Sequence, residues 1–446
     1  MQEKKLTAGI YTLGCKVNQY ESEAISEELV SRGIGIAPAS ELCDIYIINT
    51  CTVTAESDRK ACQFIRRAIQ KNPNAYILVT GCLAQVNASR IADIAGVDYI
   101  CGNTDKLSVA DAAMSLISSG KKNARAESNV KEIEGAPFER MSITKFERTR
   151  AYIKIEDGCE SRCTYCIIPS ARGKIRSKAM RDVIDEVTEL VLGGCREVVL
   201  TGIETASYGR DLGDCDLATL LEEVDKIPDI GRVRLGSLDP SLITPSFVER
   251  IAPLKSLAPH FHLSLQSGSS RILALMKRKY NADMAMRGIE LLRAAIPDVK
   301  FTTDVIVGFP DESEEDFERT VDFAKRARFL MMHIFPYSKR AGTPAAVMSN
   351  QIATDIKRRR AAELGCVAKQ IRRELLDELV ANEPVREVLF ETYRDGIAYG
   401  HTADFVEVAV PAQRPMHSEL HSVKILGTDG DICSGTLILD LEATNG

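Results

Sequence analysis

The sequence predicts an α/β protein in three parts: an N-terminal parallel α/β domain, a central partial (β/α)6 barrel and a small C-terminal all-β barrel. Three observations lead there. Short apolar runs alternate with helical stretches through the first 100 residues. The alternation resumes at Ala151 for six further strand–helix units. The last 67 residues change to short strands separated by Gly and polar turns. Strands alternating with helices call for a parallel sheet covered by helices, and closely spaced short strands for a barrel.

The elements follow in order. Leu6–Leu13, Asp44–Ile48 and Ala75–Val79 are apolar strand candidates, followed by helical stretches at Asn18–Ser31, Ala55–Lys71 and Val86–Ala95. A polar, aperiodic segment, SSGKKNARAESNVKEIEG, then reads as linker. Barrel strands are expected at Tyr152–Ile155, Glu197–Leu200, Arg232–Leu235, His260–Leu265, Phe301–Val307 and Met331–Phe335, closed by a long basic helix at about Ile352–Leu379. Val388–Tyr393, Asp404–Val410, Ser422–Leu426 and Gly435–Leu439 are the strands of the last part. The boundaries so drawn are 1–118, linker 119–148, 149–379 and 380–446.

Composition narrows the function classes. The chain has 446 residues, 45% hydrophobic and 27% charged, so it can bury a sizeable core. No secretory leader pattern and no apolar run of membrane-spanning length is present, so a cytoplasmic monomer is expected, with no membrane partner. In a reducing compartment, 13 cysteines are metal ligands, redox groups or core residues rather than bridges.

The densest signal is Cys159-Glu-Ser-Arg-Cys163-Thr-Tyr-Cys166. Three thiolates on one tight loop can each take an iron of a [4Fe-4S] cube and leave the fourth iron open. A zinc site would want a fourth ligand nearby, and Cys163 with Cys166 alone would make a redox pair. Cys15, Cys51 and Cys82 are far apart in sequence, but each directly follows a strand candidate. In a parallel sheet those strand ends share one edge, so the thiols can converge; three separate core cysteines are the plain alternative. The other seven, Cys43, Cys62, Cys101, Cys195, Cys215, Cys366 and Cys433, are expected to be structural.

The cysteine loop, with Tyr165 at its aromatic position, resembles the radical S-adenosylmethionine (SAM) enzymes. The segments TLGCKVNQYESE, INTCTVTAESDRKACQFIRR and LVTGCLAQ resemble the N-terminal domain of the methylthiotransferases within that group, and the C-terminal part their TRAM module. The resemblance implies two [4Fe-4S] clusters, one on Cys159, Cys163 and Cys166, where SAM binds and is cleaved to a 5′-deoxyadenosyl radical, and an auxiliary one on Cys15, Cys51 and Cys82. It implies SAM contacts at Tyr165, Glu204, Ser237, Ser264, Gln266 and Val305. Strand alternation independently puts Ser264 and Gln266 on one face.

GCKVNQYESE is most like the branch that converts N6-threonylcarbamoyladenosine at position 37 of tRNA, next to the anticodon, to its 2-methylthio derivative. A ribosomal-protein aspartate or isopentenyladenosine in tRNA are the alternative substrates, and an iron–sulfur RNA-binding protein is the alternative outside enzymes. The implied partners are tRNA and a reducing protein such as flavodoxin or ferredoxin. Basic residues follow the cluster loop, and Arg172, Lys174 and Arg176, with Arg340 after the last barrel strand, are the candidate RNA contacts. Residues 380–446 carry four basic and eleven acidic side chains, which more than accounts for the net charge of −6 and favours the ribosomal-protein branch against the motifs.

Overall fold

A computed structural model describes residues 6–120, 122, 125–146, 148–382 and 385–438. The first sheet has six parallel strands: β1 (Thr7–Thr12), β2 (Gly35–Ile36), β3 (Ile45–Thr50), β4 (Tyr76–Gly81), β5 (Tyr99–Cys101) and β6 (Glu127–Asn129). Their order is β2-β1-β3-β4-β5-β6. The central strands β3 and β4 are apolar and buried on both faces, as a parallel sheet under two helix layers requires. Strand β6 corrects the reading of 119–148 as linker, because Tyr99–Cys101 pairs with Glu127–Asn129. Met141 and Ile143 from the same segment are also buried in the barrel's core. The three polar residues of this edge strand carry no period by which sequence could reveal them.

The second unit holds β7 (Ala151–Lys154), the short antiparallel pair β8 (Glu156–Asp157) and β9 (Arg176–Ser177), then β10 (Glu197–Thr201), β11 (Arg232–Leu235), β12 (Ser237–Leu238), β13 (His260–Gln266), β14 (Lys300–Val307) and β15 (Met331–Pro336). Strands β11 and β12 are one barrel strand interrupted at Gly236, whose amide still bonds the Leu200 carbonyl at 2.8 Å. Six parallel barrel positions result, in the order expected. The first helix of the chain, Lys16–Ser31, packs on β7, and its Tyr20 is buried in the barrel's core, donating to the Met141 carbonyl at 2.6 Å.

The last unit is a closed barrel of β16 (Val385–Arg394), β17 (Ile397–Thr402), β18 (Glu407–Pro411), β19 (Leu420–Asp429) and β20 (Ile432–Leu437), one strand more than the sequence pattern suggests. Its core is continuous with the long helix Thr354–Asn382 and with Val305 and Val307 of β14. It is also clamped electrostatically to the base of the (β/α)6 sheet. The buried Glu197 carboxylate takes Arg234 at 2.9 Å and Arg150, and Arg150 reaches Glu391 at 2.6 Å. Arg232 pairs with Glu387 at 2.9 Å, and Arg234 lies 4.9 Å from the Phe405 ring centroid. Part of the C-terminal acidity is therefore spent inside the protein.

This clamp has a pH signature. Burial alone would raise the carboxyl of Glu197, but Arg234 and Arg150 outweigh it and hold it at about 2. Glu391 is likewise held at about 2, where His401 and Arg150 overcome burial. Both are acids depressed on folding, so their stabilisation is full above the unfolded carboxylate range and is lost as pH falls from about 4.5 towards 2. Thermal unfolding followed over that range should show the C-terminal barrel melting first. Glu391→Gln should remove about 1–3 kcal/mol at neutral pH and flatten the acid slope; an unchanged slope would contradict the clamp.

Candidate functional site

The three lone cysteines end adjacent strands. Cys15 lies three residues beyond β1, while Cys51 directly follows β3 and Cys82 directly follows β4. Register fixes their level: Thr12 faces Asn49, Asn49 faces Thr80, and Thr50 faces Gly81, so Cys51 and Cys82 leave the sheet side by side. Gly14 (φ +102°) turns the chain at Cys15, and a Cβ there would come within 2.7 Å of the Cys51 Cβ. The Cys15 and Cys51 thiols each lie within electrostatic range of Cys82, and Cys51 within range of Cys15. Cys15 is open at the rim, whereas Cys51 and Cys82 are buried. Burial, with Cys82 and Cys15 adding, pushes the Cys51 thiol up to about 11.

Asn18 ties the loops together, its amide donating to the Leu13 carbonyl at 2.7 Å and the Thr50 carbonyl at 3.0 Å. Asn103 donates to the Cys82 sulfur at 3.6 Å and to the Ala171 carbonyl at 2.8 Å. Neither asparagine stands out in the sequence. The available signal is a polar side chain close to a cysteine at the end of a buried strand.

The second cysteine set follows β8. Gly158 (φ +91°) has no room for a Cβ against the Lys174 carbonyl. The Ser161 amide donates to the Cys159 sulfur and the Ile168 amide to the Cys166 sulfur, each at 3.4 Å, while Arg278 donates to Cys163 at 3.2 Å. Donors aimed at sulfur help to set an iron–sulfur site. Among the described residues no group of three or more His, Cys, Asp or Glu converges on a single ion. In a cube each cysteine holds its own iron, so its ligands stand further apart than those of one metal ion. Two sets of three cysteines, backed by sulfur-directed donors at Cys82, Cys159, Cys163 and Cys166, fit that donor set. Burial pushes Cys166 up to about 11, so a metal must displace its proton.

Glu204 stands against the second set. Its carboxylate accepts from the Cys159 thiol at 3.0 Å, Ser161 at 2.9 Å and Lys279 at 3.0 Å. Ser237 is exposed, and Ser264 and Gln266 are half-buried on the same side of β13, opposite the core residues Leu263 and Leu265. Tyr165 is half-buried and meets Phe309 edge-on at 6.5 Å. Val305 is a correction: its side chain is buried in the core shared with the long helix, so only its backbone is left to face a ligand. Cys215 is half-buried and Cys366 exposed, unlike the five other cysteines expected to be structural, which are buried.

The basic candidates are corrected more sharply. Arg172 is wholly buried. Its guanidinium bonds Glu21 at 2.5 Å, Asn18 at 2.5 Å, Asp157 at 3.2 Å and the Cys82 sulfur at 3.4 Å. Glu21 also takes Lys154 at 2.8 Å and Lys106. Burial would raise the Glu21 carboxyl, but Arg172, Lys106 and Lys154 hold it well below the usual range. Arg176 is buried against Asp157 at 3.3 Å, and Arg340 is tied to Asp58 and Thr52 beside Cys51. Lys174 alone of the four remains at the surface, paired with Glu134 at 2.7 Å. A cavity of about 920 Å³ has no cysteine in its lining, which includes Thr12, Gln19, Ser22, Glu27, Thr144 and Arg148.

Arg172 thus bridges Cys82 of the first set and Asp157, two residues before the second. Arg172→Met should cost about 3–5 kcal/mol, because Glu21 and Asp157 would keep buried charge without their shared cation. Chemical denaturation would measure it; a loss under 1 kcal/mol would refute the bridge.

The comparisons with known proteins agree with this geometry. Residues 153–324 match the Radical SAM superfamily and residues 7–102 the Uncharacterized protein family UPF0004. The chain is 38% identical to Threonylcarbamoyladenosine tRNA methylthiotransferase MtaB of Bacillus subtilis (strain 168), over 94% of both chains. It is 37% identical to the protein of that name from Thermotoga maritima, again over 94% of both. It is also 36% identical to tRNA-2-methylthio-N(6)-dimethylallyladenosine synthase of Carboxydothermus hydrogenoformans, over 86% of this chain and 87% of that one. Among solved structures, the radical S-adenosylmethionine methyltransferase TsrM from Kitasatospora setae shares the fold, with TM-score 0.54 at 15% identity over 77% of this chain and 75% of that one. With two cysteine sets at adjoining strand ends and relatives alike over nearly its whole length, the chain belongs to the radical SAM methylthiotransferases.

Proposed function

We propose that this protein converts N6-threonylcarbamoyladenosine at position 37 of tRNA to its 2-methylthio derivative, using two [4Fe-4S] clusters and two molecules of SAM. The observation that carries the reading is one buried arginine, Arg172, that touches the Cys82 sulfur of the first triplet and Asp157, two residues before the second, in a chain of this family. When bound, the clusters and SAM supply the one-electron chemistry that removes hydrogen from an unactivated aromatic carbon and the sulfur that replaces it. The protein's part is positioning. Cys159, Cys163 and Cys166 would hold one cluster and Cys15, Cys51 and Cys82 the other. Glu204, beside Cys159, offers a carboxylate to the ammonium group of SAM, and Ser237, Ser264 and Gln266 offer hydrogen bonds along the open strand ends. Arg172 and Asn103 each donate to the Cys82 sulfur, at 3.4 Å and 3.6 Å.

The reaction draws electrons from a reducing protein such as flavodoxin or ferredoxin. Among the described residues no helix is long and apolar enough to cross a membrane, and we assign the work to a cytoplasmic monomer. Relatives named for dimethylallyladenosine in tRNA support a second reading, in which that base is the target.

Mass spectrometry of tRNA from a strain lacking the gene separates the two. Loss of the 2-methylthio derivative of threonylcarbamoyladenosine, with the unmodified base accumulating, is expected; its persistence contradicts the proposal, and loss of the dimethylallyl product instead supports the second reading. Reconstituted protein should hold about eight irons per chain, falling to about four when Cys15, Cys51 and Cys82 are all replaced by Ala.

A further inference from the structure

Overall similarity does not separate the two tRNA substrates, since relatives named for each are 36–38% identical to this chain. The chemistry of the bases does. The threonylcarbamoyl group carries several oxygens that accept hydrogen bonds, and the dimethylallyl group is a hydrocarbon. A protein that reads the first needs a free donor where the N6 substituent lies.

The open face of β13, β14 and β15 holds one. Alternation turns His262, Ser264 and Gln266 of β13 away from the core residues Leu263 and Leu265. Asp304 of β14 shares that face, 3.3 Å from His262, and the His262 and His333 rings are 5.9 Å apart. On β15, His333 and Phe335 lie 6.5 Å apart on this face, while Met332 and Ile334 turn the other way, onto the core shared with the long helix. Register sets the height. Asp304 faces His333, Ile306 faces Phe335 and Val305 faces Gln266, so Phe335 is within one residue of the level of Gln266, at the C-terminal ends of the strands. The chain leaving β15 then runs past both cysteine sets. Tyr337 meets Phe309, and Phe309 meets Tyr165 of the cluster loop. The Ala345 amide donates to the Thr164 carbonyl at 2.8 Å, and Arg340 is tied to Thr52 beside Cys51.

On this face His333 is the group left without a partner. Both ring nitrogens of His262 are taken, Nδ1 by the Thr302 hydroxyl at 2.9 Å and Nε2 by Asp304. His333 has neither a hydrogen bond nor an ion pair among the described residues, and it is exposed. Phe335 is 48% exposed. An imidazole always keeps an N–H to give, and an exposed aromatic ring can carry a nucleobase by stacking. A hydrocarbon laid over the imidazole would cover that donor and leave it unpaired, which a site of this kind penalises.

From the proposed substrate, on which this step rests, we infer that His333 is the specificity residue, donating to an oxygen of the threonylcarbamoyl group while Phe335 stacks on the base. Stacking is blind to the N6 substituent, so Phe335 holds either base and His333 chooses between them.

The test uses two anticodon stem-loop RNAs of one sequence, carrying N6-threonylcarbamoyladenosine or N6-dimethylallyladenosine at position 37. Binding to the reconstituted full-length protein is read by fluorescence anisotropy and product by mass spectrometry. The native protein should bind the threonylcarbamoyl RNA about tenfold tighter. In His333→Leu the ratio should fall to about one, and His333→Gln, which keeps an N–H, should restore most of it. Phe335→Ala should weaken both RNAs about equally and leave the ratio as it was. Iron–sulfur absorption should be native in all three variants. Product from the threonylcarbamoyl RNA with an unchanged ratio in His333→Leu overturns this inference alone, as does loss of the iron–sulfur absorption in both His333 variants. A native protein that converts only the dimethylallyl RNA, or neither, overturns the substrate reading and this inference with it.

Discussion

The buried charge network around Arg172 is the constraint on which the site depends. Glu21 comes from the first helix of the N-terminal domain, Lys106 from the segment after β5, Lys154 from the first barrel strand, and Asp157 from the strand leading into Cys159. Ions so deeply buried are tolerable only when paired and hydrogen-bonded, and removing any partner strands the others. The two domains therefore have one low-energy way to meet. Because Arg172 also touches the Cys82 sulfur, the arrangement that satisfies the charges is the one that brings the cysteine sets together. Tyr20 adds an apolar anchor to the same contact, buried in the barrel's core from the N-terminal domain's helix.

At the opposite end of the barrel strands a similar device is used for attachment rather than chemistry. Glu197 gathers Arg150, Arg232 and Arg234, and the C-terminal barrel brings Glu387 and Glu391 to them. The acidity of that module, read from sequence as favouring a ribosomal-protein substrate, is in part an internal counter-charge. The count of eleven acidic against four basic side chains thus overstates how acidic the module is towards a partner.

Much of the fold was legible because it is written in local periods. Alternating runs revealed the two parallel sheets, and a cysteine after each of three strands became informative once β1, β3 and β4 proved to be neighbours. Ser264 and Gln266 share a face because strands alternate. What was not legible is set by partners far away in the chain. Arg172 and Arg340 look like surface cations until Glu21 and Asp58 are seen 151 and 282 residues away. Strand β6 has no apolar pattern, and Val305 turns outward because the long helix, distant in sequence, covers that face.

The central claim is that two cysteine triplets, held by one ion network, each carry an iron–sulfur cube on a shared mouth. Diffraction from anaerobically grown crystals at wavelengths on either side of the iron absorption edge tests it most directly. The account predicts two anomalous iron peaks, one bounded by Cys15, Cys51 and Cys82 and the other by Cys159, Cys163 and Cys166, with Arg172 between them. A single peak at the second set, or iron at the first set bound by other residues, would contradict it.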